Sequence, residues 1–272
     1  MIDSSQRCIV PLDTICAYCK TLRLPTVAQV VEDALVTAQH EDWPLETFLQ
    51  HLLEQEMAGR RERRIVRLTK AAHFPPGKTL ETFDQRRLSL HIRRQIPQLC
   101  RGDFIPRAEN ILIFGMPGTG KTHLATALGN EWVQNNYSVL FIPTFKLVGG
   151  LLRAKRDYEL ERELRRLDRF QVIILDDLGY VQQSREEMEV LFTFLAERYE
   201  RRSVVITSNL VFSEWDQIFK DPLTTAAAID RVVHHSLIIE FGREMKSVRA
   251  EEAARRNRIE FGSSNAAQDA ES

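Results

Sequence analysis

NILIFGMPGTGKTHLATALGNEWVQNN, Asn110 to Asn136, joins an apolar run to an amphipathic one through eight residues rich in glycine. Those eight, Gly115 to Thr122, satisfy the pattern G-x-x-x-x-G-K-[ST]. The residue types follow from what such a turn must hold. Gly115, Gly118 and Gly120 permit backbone conformations that aim successive N–H groups inward at phosphate oxygens. A helix beginning near Lys121 adds the positive end of its dipole. The Lys121 ammonium then reaches the β- and γ-phosphates, and the Thr122 hydroxyl serves as a magnesium ligand. The candidate ATP-binding set is Gly115, Met116, Pro117, Gly118, Thr119, Gly120, Lys121, Thr122 and His123. The strand before the turn and the helix after it are the context this motif requires.

The same alternation continues on the C-terminal side. SVLFIPT reads as a strand, Phe145 to Phe170 as a helical stretch containing a Gly pair, and VIILDD as a strand. REEMEVLFTFLAERYERR then reads as a helix and SVVITSN as a strand. Apolar strands separated by helices of this length predict a parallel sheet with helices on both faces, an α/β fold of the P-loop NTPase type. VIILDD ends on two adjacent carboxylates, and burying one of these is costly without a cation or hydrogen bonds. In a P-loop sheet that strand tip lies beside the phosphates, which assigns Asp176 to Mg²⁺ and Asp177 to the water that attacks the γ-phosphate. SVVITSN brings Asn209 toward the same water. Arg231, in AAAIDRVVHHS, either pairs with Asp230 of its own chain or projects into a neighbouring subunit's nucleotide. His234 and His235 have no carboxylate or cysteine at ligand spacing, which favours packing over metal.

On the N-terminal side, from about Asp13 to Ala72, the pattern is helical and glycine is nearly absent. TVAQVVEDALVTAQ places Val27, Val30, Val31, Ala34 and Leu35 on one face. After Pro44, Leu45, Phe48, Leu49, Leu52 and Leu53 form a second stripe, on a helix that runs on or kinks at Gly59 into RRERRIVRLTK. That basic run sums to +5, and the bland reading is a solvated helix end. Its alternative role is contact with nucleic-acid phosphates through Arg60, Arg61, Arg63, Arg64, Arg67 and Lys70. The whole chain carries a net charge of -1, so any polyanion must be met by such local patches. Four cysteines in 272 residues suit a reducing compartment, and Cys16 and Cys19, with only Cys8 nearby, lack a fourth zinc ligand. No apolar run is long enough for a membrane helix, and the N-terminus does not read as a secretory signal. The organisation expected is a helical domain over 1–72, a linker over 73–90, an ATPase domain over 91–259 and a disordered tail over 260–272.

GMPGTGKTHLA, VIILDDLGY, the VVITSNL segment and DRVVHHS, in this order, resemble the IstB-like ATP-binding proteins, transposition helpers of the AAA+ class related to the helicase loader DnaC. The resemblance spans about Asp13 to Arg258 and includes FPPGKTLETFD. It implies that Gly115–Thr122 is Walker A, Asp176 with Asp177 is Walker B, Asn209 is sensor 1 and Arg231 an arginine finger acting across a subunit boundary. It further implies a sensor 2 role for Arg249 and an adenine pocket involving Phe83. Asp177 departs from the glutamate common at this place, which puts turnover rather than nucleotide binding in question. The implied cofactors are ATP and Mg²⁺, and the implied partners are double-stranded DNA, a cognate transposase and further copies of the chain, in a bacterial cytoplasm. Lys146, Arg153, Lys155 and Arg156 lie where DnaC and its relatives carry nucleic-acid-binding insertions. Two alternatives remain: a DnaC-like loader acting on single-stranded DNA, and a small-metabolite kinase with Arg162, Arg165 and Arg166 in a phosphate-clamping lid.

Overall fold

The structure, a computed structural model, describes residues 11–179, 184–210, 233 and 235–241. The chain divides into two compact units, Met1–Arg67 and Leu68–Ser272.

The first unit holds α1 (Leu12–Thr21), α2 (Pro25–His40) and most of α3 (Leu45–Ala72). Pro25 begins α2, where its missing N–H costs nothing. Val27, Val31 and Ala34 of α2 are buried with Cys19 and Leu52. α3 passes through Gly59 without a break, and that glycine marks a close approach. A Cβ there would lie 2.3 Å from Thr26 Oγ1. Only part of the stripe expected on α3 is covered: Leu52 is buried and Phe48 half-buried, whereas Leu45 (82%), Leu49 (58%) and Leu53 (51%) are exposed.

Buried Glu56 organises this unit. Its Oε2 accepts from the Thr26 and Val27 backbone N–H groups in the first turn of α2, and its Oε1 accepts from Arg60 and Arg63. Burial by itself would raise the Glu56 pKa. The Arg60 hydrogen bond, the two N–H donors and the Arg60 charge outweigh it and hold this carboxyl below its usual range.

The second unit is built on a five-stranded parallel sheet in the order β2-β3-β4-β1-β5. The strands are β1 (Asn110–Phe114), β2 (Val139–Pro143), β3 (Val172–Leu178), β4 (Ser203–Ser208) and β5 (Ser236–Glu240). The pattern reading yields four of these. β5 escapes the pattern because SLIIE is short and follows directly on a segment that reads as helical. The other elements are α4 (Leu90–Arg101), α5 (Lys121–Gln134), α6 (Thr144–Arg156), α7 (Leu160–Asp168) and α8 (Arg185–Arg198). The single helical stretch expected over 145–170 is two helices, interrupted where Tyr158 takes a left-handed φ of +58°.

Alternation along the strands sorts the two faces. Leu112, Ile173, Leu175, Val204 and Ile206 pack with α6, α7 and α8. Ile174 points the other way, toward α5, where a Cβ on Gly129 would lie 2.9 Å from its Cδ1. Asp176 and Thr207 have the parity of that α5 face. At the opposite end of the sheet, buried Arg198 donates to the carbonyls of Leu167, Phe170, Gln171 and Ser203 and fixes the entries to β3 and β4.

Candidate functional site

The site lies at the carboxyl ends of β1, β3 and β4, which are neighbours in the sheet. From β1, buried throughout, the chain turns at Gly115, where φ is +154° and a Cβ would stand 2.6 Å from the Phe241 Cβ. Gly118 and Gly120 also have positive φ, +79° and +107°, and Gly120 caps α5. Only glycine meets all three demands, and the outcome is a loop with its backbone bared above a helix N-terminus. Thr119 braces it, donating to the Met116 carbonyl at 2.8 Å, while Met116 and Pro117 are exposed. Lys121 is 5% exposed, and its ammonium donates to the carbonyls of Gly115 at 2.6 Å and Met116 at 3.0 Å. A buried cation is thereby placed inside the loop.

β3 and β4 lose register between Leu175 and Leu178, so the two acids fall in a bulge. Asp176 stays inside at 8% exposed, and Asp177 is turned out to the surface with φ +58°. Thr207, fully buried on β4, donates to Asp176 Oδ1 at 2.7 Å and accepts from the Asp177 N–H at 2.9 Å. Thr144, at the start of α6, donates to the Asp176 carbonyl at 3.0 Å. Burial raises the Asp176 pKa, opposed by the Thr207 hydrogen bond. Asp177's charge adds to the rise, while a Thr122 hydrogen bond and the Lys78 charge oppose it. Hard oxygen donors on Thr122 and Asp176, in contact beside a phosphate-shaped loop, suit Mg²⁺ in their chemistry. Asn209 follows β4 directly and is half-buried.

The segment preceding α4 is strapped along α5. Phe74 packs on Gly129, where a Cβ would come within 2.8 Å of its ring. Asn130 donates to the Lys78 carbonyl at 3.2 Å. His123 Nε2 lies 3.0 Å from the Thr79 carbonyl and 3.1 Å from Thr82 Oγ1; a carbonyl only accepts, so that nitrogen carries the proton. Burial, with the Lys78 charge adding to it, lowers the His123 pKa against the Thr79 contact, leaving a neutral ring at neutral pH. Phe83 is buried edge-to-face with His123 at 5.2 Å, and a Cβ on Gly120 would meet its ring at 3.2 Å. Phe83 therefore touches the cradle, as do the first residues of α5.

Three polar residues at the site went unread in the sequence: Thr207, Thr144 and Lys78. The signal for Thr207 is a hydroxyl that directly follows the apolar run VVI, with Asp176 the only acid of its strand to share its face. Thr144 and Lys78 carry no such mark.

The remaining expected residues scatter. Arg231 and Arg249 lie outside the described residues. Lys146 and Arg153 are exposed on α6, with the Lys146 ammonium 6.0 Å from the centre of the exposed Phe145 ring. Lys155 is paired with Glu189 at 2.8 Å, and Arg156 is exposed. Arg60 and Arg63 are occupied with Glu56, and also donate to the Arg23 carbonyl and to Thr26. Arg61, Arg64, Arg67 and Lys70 are exposed on α3. Arg162, Arg165 and Arg166 pair along the chain with Glu159, Glu161 and Glu163, an ion-pair ladder on a helix surface. Cys16 and Cys19 both lie in α1, Cys19 buried and Cys16 half-buried, and among the described residues no cluster of three metal-binding side chains occurs. No helix among them is long and apolar enough to cross a membrane.

The family model described as IstB-like ATP binding protein matches residues 17–254. A protein of Sinorhizobium fredii named as an insertion-sequence ATP-binding protein is 43% identical over 238 residues, 87% of this chain and 80% of its own. A Pseudomonas aeruginosa protein named as an ATP-binding protein of insertion sequence IS21 is 38% identical over 215 residues, 79% of this chain and 81% of its own. Among solved structures, the DnaC helicase loader aligns with TM-score 0.52 and 16% identity over 61% of this chain and 98% of that one. DnaI aligns with the same score and 22% identity over 61% and 92%. These two share the fold. With its glycine cradle, buried lysine and paired acids on that fold, the chain belongs to the IstB-like ATP-binding protein family, and its sheet domain is that of an AAA+ ATPase.

Proposed function

We propose that the protein is a magnesium-dependent ATP switch of an insertion sequence, which assembles on duplex DNA in its ATP-bound form and recruits and stimulates the transposase. The observation that carries this reading is the placing of Lys121, Asp176, Asp177 and Asn209 at the ends of three adjacent strands, in a chain whose relatives are named for insertion sequences.

In this reading the bared loop N–H groups and Lys121 bind the β- and γ-phosphates. Thr122 and Asp176 hold the magnesium, which supplies charge neutralisation across the transferred group. Asp177 orients the attacking water and takes its proton, and Asn209 hydrogen-bonds that water. Phe83 offers an apolar face to the adenine. Arg231, supplied from a neighbouring subunit, neutralises charge in the transition state, and Arg249 senses the nucleotide from its own chain. The helices over 1–72 serve DNA or partner binding, the linker runs over 73–90, and the ATPase domain spans 91–259. Exposed cations of α3 and α6 contact phosphates, so DNA binding is salt-sensitive and largely indifferent to sequence.

A DnaC-like loader would use the same fold on single strands, and the names of the relatives favour the transposition helper. The test is electron microscopy of the protein with duplex or single-stranded DNA, with ATP, ADP or a non-hydrolysable analogue. Regular oligomers on duplex DNA with the analogue, and none with ADP, are expected. Assembly confined to single strands would replace this reading with the loader, and nucleotide-independent assembly would remove the switch.

A further inference from the structure

We propose that Thr207 is the positioning residue of the acid pair, a role that rests on the assignment of Asp176 and Asp177 above. Its hydroxyl is fully buried on β4, after the apolar run Val204 to Ile206 and opposite Ile113 of β1, where an unbonded hydroxyl would be costly. Both of its bonds go to the two acids: it donates to Asp176 Oδ1 at 2.7 Å and accepts from the Asp177 N–H at 2.9 Å. One hydroxyl has one proton, so both directions are fixed. Asp176 Oδ1 accepts, and the Asp177 amide donates.

This single group does the work of the strand ladder where the ladder fails. Between Leu175 and Leu178 the pairing of β3 with β4 slips, and the Asp177 N–H finds the Thr207 side chain. Thr207 thereby sets two things at once. It occupies Asp176 Oδ1, leaving the carboxylate's other lone pairs for the Thr122 side, and it fixes the left-handed turn that sends Asp177 outward. Asn209 stands two residues further along the same strand end, so all three polar groups share one support.

Thr207→Val keeps the shape and removes the hydroxyl, whereas Thr207→Ser keeps the hydroxyl and removes the methyl. Three readouts are taken on the full-length chain. The first is the gain in ATP affinity on adding magnesium, by titration calorimetry. The second is ATP turnover. The third is hydrogen exchange at the Asp177 amide in protein free of nucleotide and metal. For valine, the magnesium gain and the turnover are expected to fall about 10- to 100-fold, as for groups that orient metal ligands. Its magnesium-free affinity is expected to be unchanged, with faster exchange at Asp177. Serine is expected to restore all three readouts. Should the valine variant not fold, Thr207→Ser against Thr207→Ala makes the comparison at nearly constant volume, with only serine active. Valine that behaves as wild type, or serine as impaired as its hydroxyl-free counterpart, would overturn the proposal in favour of plain packing. Absence of any magnesium gain in the wild-type chain would overturn the Asp176 assignment, and this one with it.

Discussion

Asp177 stands in a conformation that side chains other than asparagine and aspartate rarely adopt, with φ +58°. Holding an ordinary L-residue there costs about 1–2 kcal/mol, which glycine avoids. Against this, glycine loses about 0.5–1 kcal/mol through the extra freedom of its unfolded chain. The balance favours Asp177→Gly over Asp177→Ala by about 0.5–1 kcal/mol, the reverse of the order at a regular strand position. In a domain the size of the second unit, each kcal/mol moves the melting temperature by about 2–4 °C, so glycine is expected to melt about 1–4 °C above alanine. Asp177→Asn isolates the electrostatic part. It tolerates the same backbone, but removes a charge that, after burial itself, helps push the Asp176 pKa up. Asparagine is therefore expected to be more stable than wild type. All three variants should bind ATP and fail to hydrolyse it, and asparagine should do so as a stabilised but inactive form of a strained functional site. Calorimetric melting and single-turnover hydrolysis on the same preparations make the test. Alanine as stable as glycine would show that the bulge carries no strain, and normal turnover in any variant would assign the water to another residue.

Lys121→Ala removes a cation expected to make two charge-assisted phosphate bonds, at about 1.5–3 kcal/mol each, so ATP affinity measured by calorimetry should fall about 100-fold or more. Glu56→Gln should destabilise the helical unit by about 2–3 kcal/mol, short of a fully buried pair because Arg60 and Arg63 are about half exposed. Since the folded Glu56 pKa is depressed, its contribution is present above the ordinary carboxylate value and is lost as pH falls through the depressed one; denaturant melts from neutral pH downward would show the loss in wild type but not in glutamine. Arg67→Ala with Lys70→Ala should lower the salt slope of duplex binding by about 1.8, at about 0.9 per phosphate contact, without altering melting. Arg60→Ala with Arg63→Ala should do the opposite, lowering stability with little change in slope.

The cradle was legible because its chemistry is local. Eight consecutive residues supply the glycines, the lysine and the hydroxyl, and the flanking periodicities state that a strand precedes and a helix follows. The sheet was legible for the same reason in β1 to β4, where apolar runs of three or four residues stand clear of the helical stretches beside them. Legibility failed where a decision is made by partners far along the chain. Tyr158 breaks the stretch after β2 with a left-handed turn that its residue type does not announce. The apolar stripe on α3 reads as core, although three of its leucines are exposed. Arg60 and Arg63 read as surface charge because their partner, Glu56, belongs by composition to the same polar helix, and only the approach of α2 buries it.

The question posed by two carboxylates at the tip of a buried strand has a two-part answer. The bulge separates them, so only Asp176 bears the cost of burial, while Asp177 keeps its water. Around Asp176, the Thr207 and Thr122 hydrogen bonds and the Lys78 charge oppose burial and the charge of Asp177, and the balance still leaves its pKa raised. The protein's own groups therefore undercompensate this carboxylate. In the proposed reading a divalent cation held by Asp176 and Thr122 would offset that remaining cost, and a triphosphate on the adjoining loop would offset the cation's own. Each of the three charges is costly without the other two.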